Sequence, residues 1–274
     1  MKKVIMGMFV TVLLITFLSA PAPAKLGLDS AEKGRVGIEL IAWWPQVGGS
    51  INFVEDPEAI PTDAITDLDI DDVLNLKLQD ATLEVGVWLN LTKRNRFSLY
   101  WLMDQRSGTG LLDQTAQISD STFIEGTELS SDIDVQRIKF LYERALIRRD
   151  LGRLAVGLGI SYFDVLTKFD GEVDLVGTRE TESERIQAPL PVLSLAAEIH
   201  LPLGFGVFAD GCGMAVNYKN ISGRYFDVRG GVNWKMRYAF AQAGYQYIYV
   251  YADAYDLQVD YGLRGPFMSL GAKF

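Results

Sequence analysis

A transmembrane, antiparallel up-and-down β-barrel of about ten strands is the fold class that this sequence predicts, on three observations. Apolar residues recur at every second position from Arg35 onward, and helical periodicity is almost absent. Tight turns alternate with long connections along the chain. The chain stops inside an alternating pattern, with Met268, Leu270, Ala272 and Phe274 on one face and Phe267, Ser269, Gly271 and Lys273 on the other. Domain ends usually fray into polar residues, so this end predicts a terminal strand held to its last residue.

The N-terminal segment reads as a separate unit. Lys2 and Lys3 precede an apolar run from Val4 to Leu18, and Ala22-Pro23-Ala24 supplies small residues at a cleavage position. That pattern predicts a signal peptide over residues 1–24. The run is short for a helix that crosses a bilayer, which needs about 20 apolar residues. Loss of Lys2 and Lys3 would take the formal charge from −9 to −11. An acidic chain argues against nucleic acid as a partner. Cys212 is the only cysteine, so no intramolecular disulfide supports the fold.

The remaining residues, 25–274, predict one barrel domain. The strands are expected over Arg35–Trp44, Ala81–Thr92, Arg96–Gln105, Val135–Ile147, Arg153–Leu166, Ala188–Leu201, Phe205–Tyr218, Arg224–Lys235, Tyr238–Tyr251 and Leu257–Phe274. Eight strands would follow if two of these belonged to loops. The last is expected to bend near Gly265-Pro266, because proline donates no ladder hydrogen bond. Long loops are expected near residues 45–80, 106–133 and 167–187, on the rim opposite the termini. Tight turns such as TKRNR (residues 92–96) and RRDLGR (residues 148–153) occupy the other rim. In lipid every backbone group must pair within the protein, so such a sheet must close. The first and last strands are then neighbours.

Alternation also sorts side chains. The face opposite the apolar one carries the acids Glu39, Glu84, Asp104, Glu143, Glu198, Asp210 and Asp227, with Lys139 and Arg229 as its clear bases. These nine are the candidate lumen-lining residues. Buried charges should be paired or hydrated, and an excess of acids predicts that water or small cations enter. Glycine fills many other inward positions. Trp43, Trp44, Trp101, Trp234, Tyr247 and Phe274 are expected in the interfacial girdles.

The run GPFMSLGAKF resembles the C-terminal signature of Gram-negative outer-membrane β-barrels. The resemblance implies insertion by the barrel assembly machinery, an outer-membrane location and termini in the periplasm. Gly37-x-Glu39…Trp43 and DAITDLDIDDVLNLKL resemble small, uncharacterised outer-membrane proteins with a long acidic first loop. That likeness brings no assigned activity.

Candidate chemistry is sparse. Pro45–Asp80 holds nine acids and one base, Lys77, and Ser107–Asp132 holds five acids and no base. Such carboxylates suit loosely bound Ca²⁺ or Mg²⁺, which bridge lipopolysaccharide phosphates; acidic runs are more often a solvated surface. Asp67, Asp69 and Asp71 begin like an EF-hand loop, but Asp72 stands where glycine is required and Leu78 where glutamate is required. His200, the only histidine, shares a face with Ser194 and Glu198, an acyl-hydrolase combination. Lipid A deacylases and omptin proteases are barrel enzymes of the outer membrane, but neither motif is present. No catalytic residue and no cofactor is therefore expected. Three readings remain open: a structural barrel or narrow cation-preferring channel, a barrel hydrolase using His200, and a surface binding module acting through acidic loops.

Overall fold

The computed structural model describes residues 35–53, 67–69, 81–111, 116–118, 121–123, 125–172, 179–218, 221–254 and 257–274. The expected signal peptide lies outside the described residues. The described strands, in chain order, are β1 (Val36–Trp43), β2 (Gln46–Phe53), β3 (Asp67–Asp69), β4 (Thr82–Asn90), β5 (Asn95–Leu111), β6 (Ala116–Ile118), β7 (Ser121–Phe123), β8 (Glu128–Arg149), β9 (Gly152–Glu172), β10 (Arg179–His200), β11 (Phe205–Tyr218), β12 (Ile221–Lys235), β13 (Ala239–Ala254) and β14 (Leu257–Lys273).

Ten of these close a barrel, in the order β1-β4-β5-β8-β9-β10-β11-β12-β13-β14, with β14 pairing back onto β1. All these pairings are antiparallel. Closure reaches the last residue. The Phe274 carbonyl accepts hydrogen bonds from Arg35 N at 2.6 Å and Val36 N at 3.2 Å, and Phe274 N donates to Val36 O at 2.8 Å. The terminal aromatic therefore ends a strand held on both sides, because Lys273 N also donates to Tyr238 O at 2.9 Å.

β14 is longer than β1 and takes two partners on that side. Phe267–Lys273 pair with β1, and Leu257–Arg264 pair with β2. The irregularity expected at Gly265-Pro266 thus sits in the partner, at Trp44-Pro45 between β1 and β2, while β14 runs unbroken. The indole of Trp43 turns inward here and donates to Gly265 O at 3.1 Å. Trp43 is fully buried. This corrects its expected interfacial placement: alternation puts Trp44 outside, so its neighbour must point inside. Trp44, Trp101, Trp234, Tyr247 and Phe274 are exposed on the outer surface. Trp234 stacks on Phe205 beside the short turns, and Tyr247 stacks on Tyr249 farther along the strands.

Several strands extend into the segments expected as loops. β5 continues to Leu111 and β8 begins at Glu128; β9 continues to Glu172 and β10 begins at Arg179. β2 and β3 occupy part of residues 45–80, of which 54–66 and 70–80 lie outside the described residues. The reason is physical. Here the inward residues stay buried, many of them apolar, as with Leu129, Ile133 and Phe169. The outward ones turn polar, as with Asp132, Asp134 and Asp164. Hydropathy falls because the outer medium changes, while the strand persists.

The outer surface below that change is apolar. Leu158 (61 % exposed), Leu193 (74 %), Leu195 (56 %) and Met268 (62 %) represent it. From Ile199 to Pro189, β10 presents an apolar outward face. The ten steps between these residues, at about 3.3 Å each and tilted by about 45°, span about 23 Å. That matches the apolar band of about 25 Å on membrane barrels. Gln136, Asp164 and Gln187 mark its outer edge. Arg185 grips Asp164 there with two bonds, at 2.8 and 2.5 Å.

Inward glycines make room for rings. Gly37, Gly86 and Gly271 face Trp88, Tyr100 and Phe240 across the ladder. A Cβ at Gly86 would lie 2.7 Å from the Tyr100 ring and one at Gly271 would lie 2.1 Å from that of Phe240. Each ring lies across a glycine and fills the lumen instead of crowding it. Phe267 completes this packing edge-on to Phe208 at 6.3 Å. Phe267→Ala should lower unfolding free energy by about 3 kcal/mol. Met268→Ala, facing outward, should change it by well under half of that. Guanidinium unfolding of the refolded barrel in lipid checks the difference.

Candidate functional site

The inward face carries three layers. A belt of ion pairs crosses the middle, a polar vestibule lies toward the short turns, and an apolar chamber lies toward the long strands.

The belt is built from alternate residues of neighbouring strands. Arg137 and Lys139 project from β8, Asp227 and Arg229 from β12, Glu39 from β1 and Glu84 from β4. Arg137 Nη1 lies 2.7 Å from Asp227 Oδ2, and Arg137 Nη2 lies 3.0 Å from Glu84 Oε1. Lys139 Nζ lies 2.5 Å from the same Asp227 oxygen. Asp227 also accepts from Gln246 Nε2 at 3.0 Å, and Tyr225 Oη meets Arg137 Nη1 at 3.1 Å. Arg229 grips Asp210 through Nε, at 2.8 and 3.1 Å, and approaches Glu39 at 3.6 Å. Its Nη2 donates to Tyr100 Oη at 3.2 Å.

These contacts cross the barrel. Tyr100 is on β5 and Arg229 on β12, five strands apart in a ring of ten. That is a full diameter, closed by one hydrogen bond. Tyr100 further offers its ring to Lys139 Nζ at 4.8 Å and Arg229 Cζ at 5.2 Å, a favourable placement for cations against a π face. Arg137 is 1 % exposed and Tyr225 fully buried.

The structure corrects the expected charge balance. Besides Lys139 and Arg229, Arg137 pairs with Glu84 and Asp227, Arg106 with Asp104 at 2.8 Å, Arg153 with Glu143 at 3.1 Å, and Lys235 with Glu198. With Lys273 also buried and Arg96 lining the vestibule, bases are at least as many as these seven acids among the described residues, and the expected negative excess is not found there. Arg137 was legible: Ile138 and Phe140 face outward, so position 137 faces inward. Long basic side chains in strands read easily as outward or loop residues, because they usually keep their charges in water. Tyr100, Tyr225 and Gln246 carried no charge to mark them.

The vestibule encloses about 140 Å³ and is lined by Glu143, Arg153, Glu198, Asn233, Lys235 and other polar groups. The chamber encloses about 350 Å³. Its walls are almost wholly apolar, including Leu102, Val135, Phe163, Leu190, Met214 and Ile248. Arg137 and Tyr225 of the belt form part of its lining.

The remaining candidates are separate from the belt. His200 sits at the short-turn rim, its Nδ1 3.1 Å from Asp150 O and its Nε2 3.7 Å from Glu198 Oε2. Ser194 lies six residues up the same strand, roughly 20 Å away at about 3.3 Å per residue. The two cannot form a nucleophile–base pair. Cys212 is buried beside the belt. The backbone of Asp67 and Asp69 lies in β3, and Asp71 lies outside the described residues. Among the described residues no group of three or more His, Cys, Asp or Glu side chains converges as metal ligands.

No family model matches the chain, and no curated protein matches it in sequence. Its fold does match solved structures. The outer membrane protease OmpT of Escherichia coli superposes with a TM-score of 0.56 and 8 % identity, over 93 % of this chain and 100 % of that one. The translocator domain of the autotransporter NalP from Neisseria meningitidis gives 0.44 at 13 % identity, over 89 % and 91 %. The transport unit of the Escherichia coli autotransporter AIDA-I gives 0.45 at 8 % identity, over 91 % and 93 %. The strand order, with the OmpT superposition, shows that the chain has the closed ten-stranded fold of an outer-membrane β-barrel.

Breaking the belt on one side should be costly. Asp227→Asn leaves Arg137 and Lys139 short of a counter-charge and should cost about 3 kcal/mol of stability. Adding Lys139→Met should recover part of that loss, because the pair is then removed as a unit. Denaturant unfolding of wild type, both single variants and the double variant reads the coupling.

Proposed function

We propose that this protein is an integral outer-membrane barrel whose lumen is closed at mid-height: a structural barrel, not an open channel. One observation carries the reading. Arg229 and Tyr100 hydrogen-bond across the full diameter, between the Arg137–Glu84 and Arg137–Asp227 pairs and the Asp210 pair. A hydrated ion would have to displace several paired charges to pass. The barrier is steep, because each charge left unpaired in a low-dielectric lumen costs several kcal/mol.

The membrane location is supported by the exposed apolar band and the closed sheet, which together suit hydrocarbon and not water. On this reading the tight-turn rim, with both ends of the barrel, faces the periplasm. The partners are outer-membrane lipid, lipopolysaccharide and, through β14, the barrel assembly machinery.

Planar-bilayer recording tests the closed lumen. The refolded wild type should be silent under a KCl gradient. Arg137→Ala removes the residue that links Glu84 to Asp227 and should produce discrete steps with a cation-selective reversal potential. Steady cation-selective steps from the wild type would establish the open channel instead.

A further inference from the structure

The ladder between β10 and β11 stops halfway. Its pairs run from His200↔Gly206 to Leu193↔Gly213 and no farther among the described residues. β10 continues for fourteen residues beyond, to Arg179, paired only with β9. β11 continues to Tyr218, paired only with β12. Every other neighbouring pair of the ten either shares a longer ladder or ends where one strand ends. The barrel wall therefore carries a seam, above Leu193 and Gly213, near the outer edge of the apolar band.

Sequence keeps the seam open. Pro189 and Pro191 lie on β10 immediately past the last pair with β11. Proline has no N–H to donate, so the segment is unsuited to extend that ladder. Proline normally sits at a sheet edge, and here the edge lies inside a closed barrel.

The seam coincides with the apolar chamber. Ile186, Ala188 and Leu190 line the chamber from β10, and Met214 and Val216 line it from β11. A cavity of about 350 Å³ holds roughly a dozen heavy atoms at the ~30 Å³ that a water-sized group occupies in liquid. It lies within the size range of ligand sites. Among the described residues, two buried polar atoms of its lining have no hydrogen-bond partner: Arg137 Nε and Tyr261 Oη. Buried donors are normally satisfied. The charge of Arg137 is already matched by Glu84 and Asp227, so a buried anionic guest would lack a counter-charge.

From these observations we infer that the chamber binds a neutral, largely apolar molecule of about a dozen heavy atoms bearing one hydrogen-bond acceptor, and that the molecule passes between bilayer and chamber through the β10–β11 seam. The apolar walls hold the body. The Tyr261 hydroxyl donates to the acceptor. The guest never leaves an apolar medium, so no desolvation of its body opposes the transfer. The belt forms the chamber floor, and in that respect the inference rests on the closed-lumen reading. A leaking belt would appear as conductance, while binding is measured independently.

The full chain refolded into lipid nanodiscs, with empty nanodiscs as reference, provides the test by isothermal titration. 2-Decanone should bind saturably at one site, at least fivefold tighter than decane and tenfold tighter than decanoate. Ala188→Trp fills the chamber and should weaken 2-decanone at least tenfold. Tyr261→Phe is conservative in shape; it should bring 2-decanone to within about twofold of decane and leave decane unchanged. For the seam, Val192→Cys with Met214→Cys, in a Cys212→Ala background, staples the strands just past the last ladder pair. Oxidation should slow association of 2-decanone at least tenfold relative to the reduced form, at equal final affinity. No saturable binding beyond empty nanodiscs, or affinity unaffected by both Ala188→Trp and Tyr261→Phe, overturns the site. Decanoate binding as tightly as the ketone overturns the neutral class. Equal association rates for oxidised and reduced protein overturn the lateral route.

Discussion

A sheet in hydrocarbon can leave no backbone edge unpaired, and the rest of this structure depends on how the chain meets that demand. β1 and β14 join at the rim where Arg35, Val36 and Phe274 share three hydrogen bonds. Once the ends are joined, alternation sends every second side chain into a narrow cylinder. What happens inside follows from the need to fill it. Glycine at positions 37, 86 and 271 lets the aromatic rings opposite lie flat across the wall. The one place where the ladder lapses, between β10 and β11, is also the place where prolines occupy the strand and a cavity lies behind it.

Charge inside such a cylinder must be neutralised locally. The belt does this with shared partners: Asp227 serves Arg137, Lys139 and Gln246, and Arg137 serves Glu84 and Asp227. Pairs like these contribute modestly to net stability, because desolvation offsets much of their attraction. Their geometry nevertheless sets the cross-section, since each contact spans strands distant in the ring. The belt also separates two environments. Below it the lumen is polar and charged; above it the chamber walls are almost wholly apolar, with the Arg106–Asp104 pair buried at the same height. The same period-two rule produces both, and only the residue types at inward positions differ.

The strand plan was largely readable. All ten barrel strands were visible as alternating runs, because each has an outward face in an apolar medium for part of its length. Their outer ends were not, because beyond Gln136, Asp164 and Gln187 the outer medium is polar and alternation no longer shows as hydropathy. Residue type alone puts Trp43 at the interface, whereas its parity with Glu39 and Ile41 puts it inside. Arg137 is of a type that usually seeks water, whereas its parity with Lys139 puts it inside. In a barrel, parity outranks residue type.

The sequence by itself determined the class of fold, the closure of the last strand on the first, and which face each strand residue occupies. These are local or pairwise consequences of a two-residue period and of turn length. Tertiary structure alone decided which charges meet, that Tyr100 and Arg229 lie across a diameter, where the β10–β11 ladder ends, and that an apolar chamber stands behind that gap. Those depend on register and curvature around the whole ring. A shift of one pair of residues in any strand would move every side chain on it to a new height without changing the alternation from which the strand was recognised.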